Sequence, residues 1–334
     1  MNDNKITINE IAKLAGVSKT TISFYLNGKT QRISLKTQNR IATIIKQTNF
    51  QPNLAARCLN SKSSKLIGVL ISDITNTFSN QIVKGIETIA SKYNYQVIVG
   101  NSEYSYQREE NYIEQMLSMG VAGFIVQPTA QFRKLSKKLL KLNKPLVFFD
   151  SKLYDLKSNW IKTNNYEATY ETIVKCIIKG YESFYLITAD PQLISTRLER
   201  VSGFIDALAD YNFNYKTFIL ENDRVDFKML HNFFESTLNV SKKSLVFVPN
   251  CWALPDIYLA LKQYRNNMPQ IGLIGFDNLE WVNFSSPSIT TIIQPAFKEG
   301  EEAAKIVIDQ IEGKNKLDNQ KILNCYVNWN ESTL

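Results

Sequence analysis

Short apolar runs that alternate with amphipathic stretches constrain the fold of this chain more than any other feature. The runs form two groups of four, at residues 66–72, 95–101, 123–128, 145–150, 183–190, 216–222, 244–250 and 271–277. Runs of this length are typical of strands buried in parallel sheets. Helical spacing of apolar residues marks the segments 78–93, 106–119 and 131–142. The pattern predicts two βα sets in series, each able to form an open doubly wound sheet.

Polar side chains stand at the ends of several of these runs. They are Asp73, Asp150, Asp190, Asn250 and Asp277. Because ligands of open α/β sheets bind in the crevice beyond the carboxyl ends of the strands, these residues predict a ligand site. An aspartate at such a position can equally cap the helix that follows it, so no single one of them establishes the site.

The net charge of +8 is confined to the first fifth of the chain. Residues 1–62 contain ten Lys and Arg but only two acidic residues, whereas the rest of the chain contains 29 residues of each sign. Such asymmetry predicts a small head that binds a polyanion, joined to a body without net charge. A solvated basic surface with no nucleic-acid partner is the alternative that charge alone leaves open.

Three short helices are predicted within this basic segment. The run T-I-N-E from Thr7 to Glu10 is a capping box for the first helix, and Gly16 ends it. Ser18 can cap a second helix and Ser34 a third. Two helices that meet at a tight glycine turn form a helix-turn-helix, whose second helix enters the major groove of DNA. The second helix here carries Lys19, Thr20, Ser23 and Phe24.

The basic segment resembles the N-terminal signature of the LacI/GalR family of bacterial transcriptional regulators, through the residues ITINEIAKLAGVSKTTISFYLNGK. The next stretch of that signature is similar to NFQPNLAARCLNSKSSKLIGVLISDIT, and the likeness extends to the C-terminal end of the chain. The resemblance implies an α/β fold with a three-helix helix-turn-helix head. It also implies a body like the periplasmic sugar-binding proteins, with two doubly wound parallel-sheet lobes joined by three crossovers.

The resemblance also implies where the parts begin and end. The head is expected at 1–52, a hinge helix or linker at 53–62 and the body at 63–334. Within the body, the N-terminal lobe is expected at about 63–161 with 295–321, and the C-terminal lobe at about 162–290 with 322–334.

The residues expected to contact DNA lie in the head and the hinge. They are Thr7, Ser18, Lys19, Thr20, Thr21, Ser23, Phe24, Asn27, Asn53, Ala56, Arg57 and Leu59. The resemblance implies that the segment 53–60 becomes a helix when two subunits bind an operator, since so short a helix is marginal alone. Leu59 matches the leucine that family members insert between base pairs, where an apolar wedge kinks the duplex.

One of these positions departs from the family. Phe24 stands where arginine is common. Arginine binds guanine through two hydrogen bonds in the major groove, whereas phenylalanine offers only apolar contact, for instance to a thymine methyl. The operator sequence of other members therefore does not apply to this chain.

The resemblance implies that a small effector binds between the two lobes. Its expected contacts are Asn76, Phe78, Asp150, Arg197, Arg200, Asn250, Trp252, Asp277, Trp281 and Gln294. Carboxylate and guanidinium groups bind vicinal hydroxyls through paired hydrogen bonds, and an aromatic face packs on the C–H side of a sugar ring. Taken singly, Phe78 and the tryptophans are typical of a core and Arg200 of a surface ion pair. Cys251 and Trp252 depart from the acidic and small residues common after this asparagine.

The identity of the effector is open. The segment GFDNLEWVNFSSPSITTIIQP resembles the branch of the family that contains the 2-keto-3-deoxygluconate operon repressor, which implies a sugar acid. Arg200, with Arg197 as a second candidate, would bind its carboxylate. A neutral sugar and a phosphoprotein corepressor, as in the carbon-catabolite branch, remain alternatives.

Other classes of protein lack support in the sequence. A sugar-processing enzyme is disfavoured because no Walker loop, G-x-G-x-x-G after a strand, G-x-S-x-G or metal-ligand cluster occurs, so no catalytic residue, metal or cofactor is expected. His231 is the single histidine, and the four cysteines are far apart, as in reduced cytoplasmic proteins. A transporter's solute-binding protein would need a signal peptide, and the N-terminus shows none. No apolar run is long enough to span a membrane.

The expected assembly is a homodimer on a pseudo-palindromic operator. One head per chain, with a hinge that requires a partner, favours two-fold binding of double-stranded DNA. After the last predicted strand, KILNCYVNW, only NESTL remains, and it has no leucine heptads for a tetramer-forming coiled coil.

Overall fold

Two compact units make up the chain, Met1–Ser64 and Lys65–Leu334. The computed structural model describes residues 6–26, 28–50, 64–153, 158–221, 224–277, 279–314 and 319–334. The predicted hinge helix at 53–60 lies outside the described residues. So do five of the expected DNA contacts, Asn27, Asn53, Ala56, Arg57 and Leu59.

The first unit has the three predicted helices, α1 Ile8–Ala15, α2 Lys19–Leu26 and α3 Leu35–Thr48. The capping box forms, because the Glu10 carboxylate accepts the Thr7 N–H at 2.6 Å and the Thr7 hydroxyl accepts the Glu10 N–H. Gly16 takes a left-handed φ of +59°, which turns the chain into α2. The small core between the helices consists of Ile11, Ala12, Ala15, Ile22 and Ile41.

Strands and helices alternate along the second unit. Its strands are β1 Leu66–Ile71, β2 Gln96–Asn101, β3 Gly123–Val126, β4 Leu146–Phe149, β5 Asn159–Thr163, β6 Ser183–Ala189, β7 Tyr215–Leu220, β8 Ser244–Val248, β9 Ile271–Phe276, β10 Thr290–Ile293, β11 Gln320–Leu323 and β12 Tyr326–Asn328. Its helices are α4 Thr77–Lys92, α5 Tyr106–Ser118, α6 Arg133–Lys141, α7 Asn165–Ile178, α8 Ser195–Asp210, α9 Phe227–Thr237, α10 Leu254–Ala260, α11 Leu279–Phe284 and α12 Ala296–Ile311. Each of the eight apolar runs contains one of these strands.

The strands form two sheets with the same order of connections. The order is β2-β1-β3-β4-β5-β11 in the first and β7-β6-β8-β9-β10-β12 in the second. Neighbouring strands are parallel except β10 and β12. In both sheets the second strand in sequence lies on one side of the first strand, and the later strands lie on its other side. Such a switch point leaves a crevice beyond the carboxyl ends of the strands, which is where ligands of open α/β sheets bind.

Each sheet is covered by helices on both faces, which explains why its central strands β1, β3, β4, β8 and β9 are buried and largely apolar. In the first lobe α4 and α12 pack on one face, with α5 and α6 on the other. In the second lobe α7 and α8 pack opposite α9 and α10. The helices α4 and α12 approach closely at two glycines. A Cβ added to Gly85 would lie 2.1 Å from the Phe297 carbonyl oxygen, and one on Gly300 would lie 2.1 Å from that of Ile82.

The two lobes are joined by three chain crossovers that hydrogen-bond to one another. The hydroxyl of Thr163, the last residue of β5, donates to the Gln294 side chain after β10 at 2.9 Å. The Cys325 N–H donates to the Asn164 side chain at 2.7 Å. The strands β5, β10 and β11 end at 163, 293 and 323, where the chain crosses between the lobes.

One predicted strand is wrong in extent. The sequence predicts a single strand over KILNCYVNW, but the structure divides this segment between β11 in the first sheet and β12 in the second. The reason is that Cys325 turns its N–H to Asn164 instead of continuing the first sheet.

Candidate functional site

A cavity of about 60 Å³ lies between the two lobes, beyond the carboxyl ends of both sheets; it is called the cleft below. Nine of the ten residues expected to contact an effector line it. They are Asn76, Phe78, Asp150, Arg197, Arg200, Asn250, Trp252, Asp277 and Gln294. The topology alone brings them together, because they come from distant points in the sequence.

The tenth expected contact, Trp281, lies elsewhere. Its ring packs against Tyr258, with the two centroids 5.7 Å apart, at the edge of the second lobe's core. The side chain belongs to α11 and packs against the core of the second lobe, and Trp281 is not among the residues that line the cleft.

Sequence reasoning missed several residues of the cleft. The structure adds Tyr104, Gln127, Ile194 and Thr196, and Cys251 faces the cleft beside Trp252. Gln127 was detectable in principle, because it directly follows the apolar residues of β3. Tyr104 was not, since its position depends on left-handed φ angles of +48° and +56° at Glu103 and Tyr104. Such backbone strain in non-glycine residues occurs preferentially at functional sites.

Each lobe contributes one aspartate, and each aspartate is bound by a glutamine. Asp150 follows β4, and its carboxylate accepts the Gln127 side-chain N–H at 2.8 Å. Asp277 follows β9, and Gln294 donates to it from both its backbone, at 2.9 Å, and its side chain, at 2.7 Å. Both aspartates have a left-handed φ, +64° and +54°. Each lobe therefore contributes an aspartate with the same backbone conformation and the same type of hydrogen-bond partner.

Burial controls the ionisation of these two carboxyl groups. It raises the pKa of Asp150 to about 6, although the Arg200 guanidinium and the Gln127 hydrogen bond act in the opposite direction. Burial likewise raises the pKa of Asp277, again against the effect of Arg200 and Gln294. The cleft thus combines acidic groups that are costly to ionise with a nearby cation that favours their charged forms.

Arg200 occupies a fixed position in the floor of the cleft. Its Nε–H donates to the Asn165 side chain at 2.7 Å, and its Nη1 donates to the Pro249 carbonyl at 2.9 Å. The guanidinium also stacks over the Phe276 ring, 3.9 Å from its centroid. These contacts orient the group before any ligand arrives, which reduces the entropy lost on binding.

Amide groups and a thiol also line the cleft. The Asn250 carbonyl oxygen accepts from the Ala189 N–H at 3.0 Å, which leaves the amide N–H groups of Asn250 as donors toward the cleft. Asn76 caps α4 and approaches the Cys251 sulfur across the cleft at 3.6 Å. Burial raises the pKa of the Cys251 thiol to about 11, so it remains protonated at neutral pH.

Two other features of the body are distinct from the cleft. A larger, open depression of about 600 Å³ at the edge of the second sheet is lined by residues such as Ile219, Glu221 and Met229. No buried charged group lines it among the described residues.

Asp73 and Asp190 act as local caps, accepting the N–H groups of Thr75 and Gln192. Within the described ranges, no group of three or more His, Cys, Asp or Glu side chains could hold a metal ion.

The first unit presents a polar face on α2. Lys19, Thr20 and Phe24 are exposed on one side of this helix, while Ile22 is fully buried on the other. Ser23 and Thr21 are half-buried beside them. The Ser18 hydroxyl accepts the Thr21 N–H at 3.1 Å and so caps the start of the helix. Thr7, at the start of α1, is exposed.

Comparison with known proteins assigns both units. Residues 7–53 match the model of the bacterial regulatory proteins of the lacI family, and residues 67–315 match that of a periplasmic binding protein domain. The HTH-type transcriptional regulator KdgR of Bacillus subtilis is 32% identical over 311 residues, 92% of this chain and 91% of that protein. No described helix has the length and apolarity needed to cross a membrane.

Solved structures share the fold. A lac repressor dimer bound to operator and the anti-inducer ONPF superposes with a TM-score of 0.85 at 20% identity, covering 99% of this chain and 100% of that one. A periplasmic binding protein/LacI transcriptional regulator from Alkaliphilus metalliredigens QYMF, complexed with D-xylulofuranose, has a TM-score of 0.68 at 25% identity and covers 81% and 100%. The matches to both domain models and to KdgR over nearly the whole chain show that this protein belongs to the lacI family of bacterial regulatory proteins.

Proposed function

We propose that this chain is a sequence-specific DNA-binding regulator, a repressor of a carbohydrate-utilisation operon, controlled by a sugar or sugar acid in the cleft. One observation carries the proposal: the same chain has an exposed face on α2 and a cleft lined by buried carboxyl and guanidinium groups. In this proposal the cleft binds its ligand without a catalytic step or cofactor, and the protein acts in the cytoplasm, where its operator is.

The hydrogen-bonding groups of the cleft fit a ligand with several hydroxyl groups. Asp150 and Asp277 accept from vicinal hydroxyls with the oxygen lone pairs that their glutamine partners leave unused, and Asn250 donates. Phe78 and Trp252 offer aromatic faces for the C–H groups of such a ligand. A similar regulator whose solved structure contains D-xylulofuranose supports this class of effector.

The two guanidinium groups favour a sugar acid over a neutral sugar. Arg197 and Arg200 are both buried, with 6% and 8% of their surface exposed, and both line the cleft. A carboxylate placed between them gains paired, charge-assisted hydrogen bonds, which are about twice as strong as neutral ones. The sequence resemblance to the 2-keto-3-deoxygluconate branch supports the same choice, and a neutral sugar is the alternative.

The size of the cleft supports coupling between ligand binding and lobe position. A cavity of about 60 Å³ is well below the roughly 300–1,000 Å³ of small-molecule pockets, so we expect a sugar to bind when the lobes separate or the lining side chains move. Asp277 is linked to the crossovers through Gln294 and Thr163, which connects ligand contact to the joint between the lobes. A ligand that binds one arrangement of the lobes more tightly shifts the population toward it.

The proposed DNA contacts require two copies of the chain. In the lac repressor complex a dimer binds the operator, and this chain shares that fold. We therefore propose a homodimer that places one α2 in each half-site of a pseudo-palindrome. Residues 53–62 would join each head to its body and supply the minor-groove contact of Leu59.

Selection from a random duplex library with the full-length chain tests this function. We expect enrichment of a pseudo-palindrome, with an affinity that falls about a thousandfold between about 50 and 200 mM salt because counterions are released. Lys19→Ala and Thr20→Ala should each change the bases preferred within a half-site, since both side chains are exposed on α2.

A charge-matched control separates base recognition from general electrostatics. Lys46 is exposed on the last turn of α3, away from α2 in the sequence. Lys46→Ala should weaken binding to all duplexes about equally and leave the consensus unchanged. No enrichment by the wild-type chain, or a consensus that neither α2 variant alters, would contradict the proposed function.

A further inference from the structure

Glu299 is a carboxyl group buried beneath the cleft, although it does not line the cavity itself. It lies in the first turn of α12 and has none of its surface exposed. By contrast, Lys298 and Glu302 on the same helix reach solvent and pair with each other at 3.3 Å. Glutamate is almost never fully buried without a partner, so its presence here requires a reason.

The Glu299 side chain makes a hydrogen bond to a residue of the cleft. Its Oε1 accepts the backbone N–H of Asp150 at 2.7 Å. Asp150 has a left-handed φ of +64°, a conformation that an aspartate adopts only when surrounding contacts favour it. The hydrogen bond from α12 therefore fixes the backbone of a residue whose carboxylate faces the cleft.

The surroundings of Glu299 favour its neutral form. Burial raises its pKa well above the ordinary value, and the carboxyl groups of Asp150 and Asp277 add to this effect, while the hydrogen bond from the Asp150 N–H and the Arg200 guanidinium oppose it. The Cys325 thiol also interacts with it. Oε2 has no hydrogen-bond partner in the described part of the chain. A proton on Oε2 avoids an unpaired buried charge and leaves Oε1 as the acceptor.

We propose that Glu299 is a positioning residue of the cleft, which in its neutral form holds Asp150 in the geometry that binds the effector. This inference rests on the proposed function, because it takes Asp150 to be an effector contact. The neutral form also matters for charge. Asp150 and Asp277 line the cleft together with Arg197 and Arg200, and a third carboxylate would give the site an excess of negative charge that repels a sugar acid.

Two substitutions separate the hydrogen bond from the charge. Glu299→Gln keeps a side-chain carbonyl that can accept the Asp150 N–H, whereas Glu299→Leu removes the acceptor and preserves apolar packing. Glu109→Gln is the matched control. Glu109 is also fully buried, and it accepts the N–H and the hydroxyl of Thr129 at 2.9 and 2.8 Å, and neither residue lines the cleft.

Hydrogen exchange and infrared spectra test the inference without any ligand. We expect Glu299→Leu to speed exchange of the Asp150 amide at least tenfold, and Glu299→Gln to restore slow exchange. The difference spectrum between the wild-type chain and Glu299→Gln at pH 7 should show the carbonyl band of a protonated carboxylic acid. Unchanged exchange in Glu299→Leu, or a carboxylate band in the difference spectrum, would overturn the inference.

Calorimetry with aldonates, ketodeoxy acids and neutral sugars then tests the effect on binding. For any compound that the wild-type chain binds, Glu299→Leu should lower the affinity at least tenfold, and Glu299→Gln should recover most of it. Glu109→Gln should leave the affinity unchanged. Equal losses in both Glu299 variants would refute the role of the neutral form. If the wild-type chain binds none of these compounds, the proposed effector class fails, while the exchange result still decides whether Glu299 positions Asp150.

Discussion

Arg200→Met is expected to lower the affinity for the effector by about a hundredfold or more. The substitution removes two charge-assisted hydrogen bonds to the ligand, each worth about 1.5 kcal/mol, and each 1.4 kcal/mol is about a tenfold change. It also removes the cation that favours the charged forms of Asp150 and Asp277, so both carboxyl groups become poorer acceptors for ligand hydroxyls. Calorimetry with the best-bound sugar or sugar acid measures the loss.

A second stacked arginine in the same lobe provides the control. The Arg265 guanidinium lies over the Tyr258 ring, 3.9 Å from the centroid, as Arg200 lies over Phe276 at the same distance. Arg265→Met therefore removes a similar guanidinium–aromatic contact outside the cleft and should leave effector affinity unchanged. Equal affinities for the wild-type chain and Arg200→Met would show that the ligand does not use this side of the cleft.

Phe24→Arg is expected to change the operator that the protein selects. Phe24 is 41% exposed on the side of α2 proposed to contact DNA, where its ring can contact only apolar groups such as a thymine methyl. An arginine at this position can bind guanine through two hydrogen bonds, which discriminate against the wrong base by about 1–3 kcal/mol. Selection should therefore enrich guanine at one position in each half-site, by about 5- to 150-fold over the other bases.

Added positive charge alone would strengthen binding to any duplex, so this prediction needs a matched variant. Leu35 is 76% exposed at the start of α3. Leu35→Arg adds the same charge without changing α2, and it should raise affinity for all sequences while keeping the wild-type consensus. Identical consensus sequences from Phe24→Arg and Leu35→Arg would contradict the assignment of α2 to base recognition.

The fold was predictable because most of its strands are rich in apolar residues. All eight runs coincide with strands, and the central strands of each sheet are buried because helices cover both faces. The strands β5 and β10 were not predicted, because they are short and carry polar residues such as Asn159, Lys162 and Thr290. Their pairing depends on neighbouring strands that no local pattern shows.

The site was predictable where its residues follow strands and match family motifs. Asn250 and Asp277 fit both criteria and Asp150 fits the first, and all three line the cleft. Glu299 and Tyr104 could not be found in this way. Glu299 lies on a helix, and its relation to Asp150 appears only when α12 packs against the first sheet. Tyr104 reaches the cleft through a strained loop conformation that its sequence does not encode in any recognisable pattern.

The most direct test of the account measures operator affinity with and without ligand. A labelled duplex of the selected sequence is titrated with the full-length chain, alone and with a saturating sugar or sugar acid. We expect the ligand to change operator affinity at least tenfold, and the operator to change ligand affinity by the same factor, because coupling between two sites is reciprocal. Arg200→Met should bind the operator but lose the response to ligand. Equal operator affinity for the free and the ligand-saturated protein would contradict the claim that the cleft controls the head.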